Sequence, residues 1–578
     1  MKQILSLLLS AALLCGCAFS EPAEDVQEET HAIMAKETRM YLLSIDQSIT
    51  LNAYFVDGAM DYPWMDLEVW AEVLNILHRD VFGEEEYQAS FTAEGEKVLV
   101  TRENGFYMQA DFVEKTLYFN DYNGFLHDPG TVIPLLDLVT IPGFNADREP
   151  ELFMRMTDVS YDRYGDAVLL NLGDYGIDMI LYEDCYLVPL QTLGDFTLAP
   201  ALRVDTFFNG RELFIANENS LGNSGSGYTR LGEQYYSSMP RDRSEALAEY
   251  GYNELCLVLD RLYGLKQPHE IDSFAQIFWQ IGLDEPLRST NAADADRALY
   301  SFLDYYLDDV HSFFDGFSWM NGKERTNGMT GTASARMSRQ IARYQEARAA
   351  ALGQQFDQYQ EVGNTAYITF DKFADESAGN YYEKIKQGIV PQDTIGLIIY
   401  AHNRIYREDS PIENVVIDLS NNTGGSVNAA VFTVAWFLGE APLSVKDTFT
   451  GALSTAVYRA DVNLNREFND GDTVSEKNLY CIVSPVSFSC ANMVAAAFKA
   501  SDMVTLLGRT TSGGSCTVQF LSSAWGAYFD ISGQNRMSFQ RNGSFYDIDQ
   551  GVEPDFTIRK IENFYDREAL TDFINRLF

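Results

Sequence analysis

From about residue 360 the chain alternates two kinds of apolar segment, and this restricts its fold more than any other feature. TAYITF, NVVIDL, LYCIV and TLLG are short β-rich runs. DTIGLIIYAHNRIY, SVNAAVFTVAWFLG and SCANMVAAAFKAS lie among them as apolar helices. Strands that read as continuous apolar runs belong in a sheet covered on both faces, and helices of this length serve as crossovers between parallel strands. The expectation is an α/β layered domain.

Three places in this pattern have the residue types for chemistry. In NVVIDLS-NNTGG-SVNAAVFTVAWFLG (414–439) a strand runs into Asn421-Asn422-Thr423-Gly424-Gly425 and a helix starts at once. Two glycines there let the backbone approach a ligand and aim N–H groups at it, or simply make a tight turn. In LYCIVSPVSFSCANMVAAAFKASD (479–502) a helix opens at Ser489-Cys490-Ala491. A serine at that position is placed as a nucleophile, with the Cys490 N–H near its oxyanion, and Ser487 or Ser489 as a helix cap is the plainer reading. In LDDVHSFF (307–314) His311 ends an apolar helix beside Asp308 and Asp309.

Other polar features carry less. DVNLNREFNDGD (461–472) faintly echoes a calcium loop, but Arg466 stands where glycine is needed and Asp472 where a bidentate Glu is. It reads as a polar hairpin loop. Cys185, Cys256 and Cys481 lie in apolar contexts and read as buried small hydrophobes. No C-x-x-C spacing exists, so no zinc site is expected, and no other metal or cofactor is implied.

The first half is organised differently. Residues 41–228 read as a β-rich, repeat-like accessory region with some helix. DLEVWAEVLNILH (66–78) puts Leu67, Trp70, Val73, Leu74 and Leu77 on one helical face. KVLVT, GFYMQADF and KTLYFN follow as strands. YFVDGAMDYPWMDLEVW (54–70) resembles LYEDCYLVPLQTLGDF (181–196), and FFNGRELFIA (207–216) reads as a two-residue Asn-Gly hairpin. This region loosely resembles the small N-terminal repeats of copper amine oxidases, and it carries no chemical motif. Residues 229–358 read as a helical domain holding His311, with 337–353 a surface helix, and 359–578 as the α/β core.

At the N-terminus, Lys2 precedes an apolar run from Ile4 to Leu14, too short to span a bilayer and readable as a secretory signal. It ends in Leu14-Cys15-Gly16-Cys17, which resembles the bacterial lipobox. That resemblance implies removal of residues 1–16, lipidation of Cys17, and an acidic tether over 17–40. The expected location is the outer face of the cytoplasmic membrane, with one lipid anchor holding an otherwise soluble body. The 578 residues carry 84 Asp+Glu against 42 Lys+Arg, a net charge of −42. A nucleic-acid binder needs a basic face, so that class is excluded, and oligomeric state stays open.

Taken in order, the segments of the second half resemble the serine peptidase family of the C-terminal processing (tail-specific) proteases, the tricorn core and the interphotoreceptor retinoid-binding protein. VVIDLSNNTGGSVNAA resembles the family's strand and Gly-Gly loop. SFSCANMVAAAFKASDMVTLLGRTTSGG resembles its Ser-x-Ser-x-x-Glu helix followed by Gly-Glu-x-Thr-x-Gly, and places the nucleophile on Ser489. TAYITF and QGVEPDFTI resemble the opening and closing strands. The resemblance covers about residues 230–560 and implies a crotonase-like core.

Two departures point to one branch of that family. Processing proteases use a Ser–Lys dyad, and here Gly514 or Ser515 stands at the Lys position, while Lys499 is on the wrong part of its helix. The space before the core is also too short for a PDZ domain. Both departures match the tricorn-like and retinoid-binding-like branch, whose Leu-x-Asp-x-His-Thr resembles LDDVHS and makes His311 the general base. The orienting acid is then Asp549, or else Asp547, and Gly424 or Gly425 with Cys490 forms the oxyanion hole. The implied activity is hydrolysis of a peptide or protein substrate. Asn492 and Arg509 replace two family glutamates, so a decayed site that binds a ligand or peptide is the alternative. Cys490 and Cys516 flank the site from two loops, and whether they pair outside the cell stays open.

Overall fold

The parallel sheet expected after residue 360 is present. The computed structural model describes residues 31–84, 86–127, 153–222, 227–322, 331–375, 381–389, 392–541 and 543–577. The lipobox cysteine, Cys17, and most of the expected tether lie outside them. In the core, Tyr359–Val362 pairs antiparallel with Thr365–Thr369. Four more strands then add in parallel, in the order Asn414–Asp418, Asn478–Val483, Val504–Gly508 and Phe556–Thr557. Asn414–Asp418 is buried along its whole length. Burial of each of Val415, Val416 and Ile417 contributes about 1.5–3 kcal/mol, which favours this apolar run as a central strand.

The helices Thr394–Ile405, Val427–Leu438 and Cys490–Ala500 lie between these strands in the chain. The first two begin on side-chain caps. Asp393 accepts from Gly396 N, and Ser426 accepts from Ala429 N. The third begins at Ser489 with no side-chain cap.

A second, antiparallel sheet ties the whole chain to the core. Its order is Phe313–Gly316, Tyr528–Ser538, Ala441–Asp447, Leu453–Ala460 and Met154–Arg163, with Cys516–Ser522 also paired to Tyr528–Ser538. The expected boundaries at 228/229 and 358/359 therefore do not separate the sheets. Met154–Arg163 of the N-terminal region pairs with Leu453–Ala460, and Phe313–Gly316 of the helical region pairs with Tyr528–Ser538. Unpaired edges invite added strands, and here distant segments supply them.

The N-terminal region builds a seven-stranded and a five-stranded sheet. It starts earlier than expected, because Ile33–Leu42 is a strand within the segment assigned to the tether. The two similar segments meet directly, with Leu187, Val188 and Pro189 paired to Asp66, Met65 and Trp64. The hairpin near 209 turns one residue later than expected. Asn209 N–H donates to the Glu212 carbonyl at 3.2 Å, so Gly210-Arg211 is the turn. Gly210 has φ +84°, the conformation a two-residue hairpin loop asks of its first central residue.

The helix Thr332–Leu352 is more than a surface helix. Tyr344 is fully buried, and Arg348 makes a bidentate pair with Asp371 at 2.5 and 2.6 Å. Asp371 also accepts from Asn421 Nδ2 at 3.3 Å, so this helix braces the base of the Gly-Gly loop.

Candidate active site

Ser489 stands alone on a strained turn. Its φ of +55° and ψ of −125° are costly for a residue with a Cβ, by about 1–3 kcal/mol. It also forgoes the capping bond that a serine at a helix start normally makes, worth about 0.5–2 kcal/mol. The cap expected of Ser487 or Ser489 is therefore absent. The Ser487 hydroxyl donates instead to the Leu419 carbonyl at 2.7 Å and accepts from Ser484 N at 2.9 Å. The Ser489 N–H is held by the Gly513 carbonyl at 2.9 Å. The loop carrying Gly513 thus grips the Ser489 backbone, and the Ser489 side chain lies against the buried Cys490 thiol.

The Gly-Gly loop packs straight onto this turn. A Cβ on Gly424 would lie 2.7 Å from Ser489 Cβ and 3.1 Å from Cys490 N, and Gly424 has φ +100°. Only glycine fits. The structure separates the two candidate glycines. Gly424 N–H is spent on Asn422 Oδ1 at 2.8 Å. The N–H groups of Gly425 and Cys490 have no acceptor among the described residues. Gly425 is exposed, and its carbonyl accepts from Cys490 Sγ at 3.1 Å, which puts the two residues side by side.

His311 reaches the same turn from the helical region. It precedes the strand Phe313–Gly316, whose pairing with the core fixes its position. The Ser312 hydroxyl accepts from Ser532 N at 3.0 Å, and Asp309 accepts from His311 N at 3.0 Å. The imidazole is buried and lies 4.6 Å from the ring of Phe488, the residue before Ser489. Its Nδ1 has no hydrogen-bond partner. Burial pushes the His311 pKa below the ordinary 6.5, against the opposing charges of Asp309 and Asp549. The ring is therefore neutral at pH 7 and able to take a proton. Among the described residues, no hydrogen bond joins Ser489 to His311, or His311 to Asp549.

The acid candidates take different positions. Asp549 Oδ1 accepts from Ser515 N at 3.1 Å and from Ser515 Oγ at 3.2 Å. Asp547 is half exposed and pairs with Arg536 at 2.5 Å. Of the two, Asp549 is the one whose charge acts on His311. Asn492 and Arg509, at the positions read as two glutamates in the resembled pattern, have local structural accounts. Asn492 is fully buried, donating to the Ile548 carbonyl at 2.9 Å and accepting from Thr511 Oγ1 at 2.6 Å. It fixes the loop that carries Asp549. Arg509 holds the carbonyls of Ile558 and Arg559. Lys499 pairs with Asp555, away from Ser489. Asp309 is legible beside His311 in the sequence, whereas Phe488 and Arg536 give no signal there.

Cys490 and Cys516 are both free, so no disulfide joins them. Burial pushes the Cys490 thiol up to about 12, which keeps it protonated. In the loop 461–472 the carboxylates of Asp461 and Asp472 accept the loop's own N–H groups, those of Val462, Asn463, Asn465, Arg466 and Asn469. Elsewhere Glu218, Asp315 and Asp530 bring carboxylate oxygens within 4.8 Å of one another. Burial beside Asp530 pushes Asp315 up to about 10.

Residues 364–558 match the family model of peptidase family S41. Among curated proteins, none matches the chain. Solved structures similar to it include a lipoprotein from Streptococcus agalactiae, at 16% identity over 59% of this chain and 98% of that one, with a TM-score of 0.34. The photosystem II D1 C-terminal processing protease matches at 13% identity over 54% and 92%, with a TM-score of 0.34. The tricorn protease matches at 14% identity over 41% and 19%, with a TM-score of 0.23. Residues 364–558 of the α/β core are thus similar to peptidase family S41.

Proposed function

We propose that the protein hydrolyses peptide bonds through an acyl-enzyme on Ser489, with His311 as general base. The observation that carries this reading is Ser489 itself. It bears a strained backbone and an uncapped helix, pressed against Gly424 beside a buried neutral imidazole. As Ser489 Oγ attacks the substrate carbonyl, His311 accepts its proton, and the Gly425 and Cys490 N–H groups receive the oxyanion. The imidazolium then protonates the leaving amine, and water repeats the cycle on the ester. Asp549 stabilises the imidazolium. The chemistry needs no metal or cofactor.

The test is hydrolysis of an unstructured protein such as denatured casein by the purified chain. Wild type is expected to cleave it and Ser489→Ala to leave it intact; equal cleavage by both rejects the reading. A binding protein built on a silent site is the second reading, favoured by the lack of a Ser489–His311 hydrogen bond. Binding of the same chain without cleavage would support it.

The lipobox-like Leu14-Cys15-Gly16-Cys17 supports a place on the outer face of the cytoplasmic membrane. One diacylated cysteine plus a short tether is enough to hold the body there. Cys17→Ala is expected to abolish incorporation of labelled palmitate and to move the protein from the membrane to the soluble fraction. Incorporation that persists would remove Cys17 as the anchor.

A further inference from the structure

One of the two residues that could stand at the family's lysine position is not idle. Ser515 lies on the loop that also supplies the carbonyl of Gly513 to Ser489. Its N–H and hydroxyl both donate to Asp549 Oδ1. Behind it sits Arg536, from the strand Tyr528–Ser538, with only 4% of its surface exposed. Arg536 Nε donates to Ser515 Oγ at 3.0 Å, and Nη2 donates to Asp547 Oδ1 at 2.5 Å. Asp547 Oδ1 in turn accepts from Asp549 N at 2.9 Å. The ring closes on itself, from Arg536 through Ser515 to the carboxylate of Asp549, and through Asp547 to its backbone.

We propose that Ser515 and Arg536 are positioning residues that fix Asp549 from two sides, so that its carboxylate faces the His311 imidazole. The assignment rests on the function proposed above. A guanidinium suits the task because its planar fork serves two acceptors in fixed directions, which an ammonium cannot. Removing either bond frees Asp549 to turn toward solvent, since it is only partly buried.

The ionisable groups facing His311 are Asp309, on its own loop, and Asp549. Tyr263 and Cys516 border the same space, and both feel Asp309 and Asp549. Asp549's negative charge favours the imidazolium, so its departure lowers the His311 titration midpoint. The test uses the full chain with carbon-13-labelled histidine, the His311 signal being assigned by its loss in His311→Ala. Ser515→Ala and Arg536→Lys both preserve the charge of the site. Each is expected to lower the His311 midpoint toward that of Asp549→Asn, and Ser515→Thr to restore it. Labelling of Ser489 by a fluorophosphonate is expected to slow by about ten- to a hundredfold in the first two variants, since a misplaced group costs up to about 10²-fold. A wild-type midpoint in Ser515→Ala and Arg536→Lys, or in Asp549→Asn, overturns the assignment. A shifted midpoint in a wild type that no probe labels leaves the positioning intact and rejects the hydrolytic reading instead.

Discussion

His311→Ala is expected to slow acylation of Ser489 by about 10²–10⁴-fold, the usual contribution of a positioned general base. The imidazole is fixed by the pairing of Phe313 and Phe314 with Asp530 and Phe529, and by Asp309 on the His311 amide, so no neighbouring base replaces it. The sign of the pH dependence follows from burial. Desolvation disfavours imidazolium and holds the pKa below 6.5. The wild-type rate is therefore expected to rise with pH through a midpoint below 6.5 and to stay flat through neutral pH. The variant loses that inflection. Time courses of fluorophosphonate labelling, followed by intact mass at a series of pH values, check both points. A variant as fast as wild type removes His311 from the mechanism.

Gly424→Ala is expected to cost about 10²–10³-fold in the same rate, comparable with the loss of an oxyanion donor. The new methyl carbon would stand 2.7 Å from Ser489 Cβ and 2.9 Å from the Phe488 carbonyl. Both contacts are too close for carbon, and φ +100° is itself hostile to an alanine. Because the strand Asn414–Asp418 and the helix Val427–Leu438 are buried independently of this contact, relief comes by moving the loop or the nucleophile turn. The Cys490 N–H then leaves the place proposed for the oxyanion. Labelling rates read beside a thermal melt separate this local damage from unfolding. A fully active Gly424→Ala would mean that the loop does not form the oxyanion hole.

The core was legible in the sequence because its strands are buried on both faces. VVID and YCIV have no exposed side to interrupt them, and the helices between them have the length of crossovers. The antiparallel sheet was not legible. Met154 pairs with Ala460 and Phe313 with Asp530 across some 200–300 residues of chain, and periodicity carries no record of a distant partner. The same limit explains the boundaries, which followed changes in local pattern while the chain exchanged strands across them. At the site, LDDVHS and SFSCAN were visible as motifs. What local sequence left open was whether Ser489 caps its helix, and the turn geometry answers that. Arg536 gave no signal at all, since it is one cation in a β-strand until the strand lies beside Ser515.

The most direct measurement is the site of the adduct formed by a fluorophosphonate on the mature protein, mapped by peptide mass spectrometry. The prediction is a single adduct on Ser489, formed across about pH 6–9, where a neutral imidazole can act as base, and lost in His311→Ala. No adduct in the wild type over that range, or an adduct on a different serine, would contradict catalysis by Ser489.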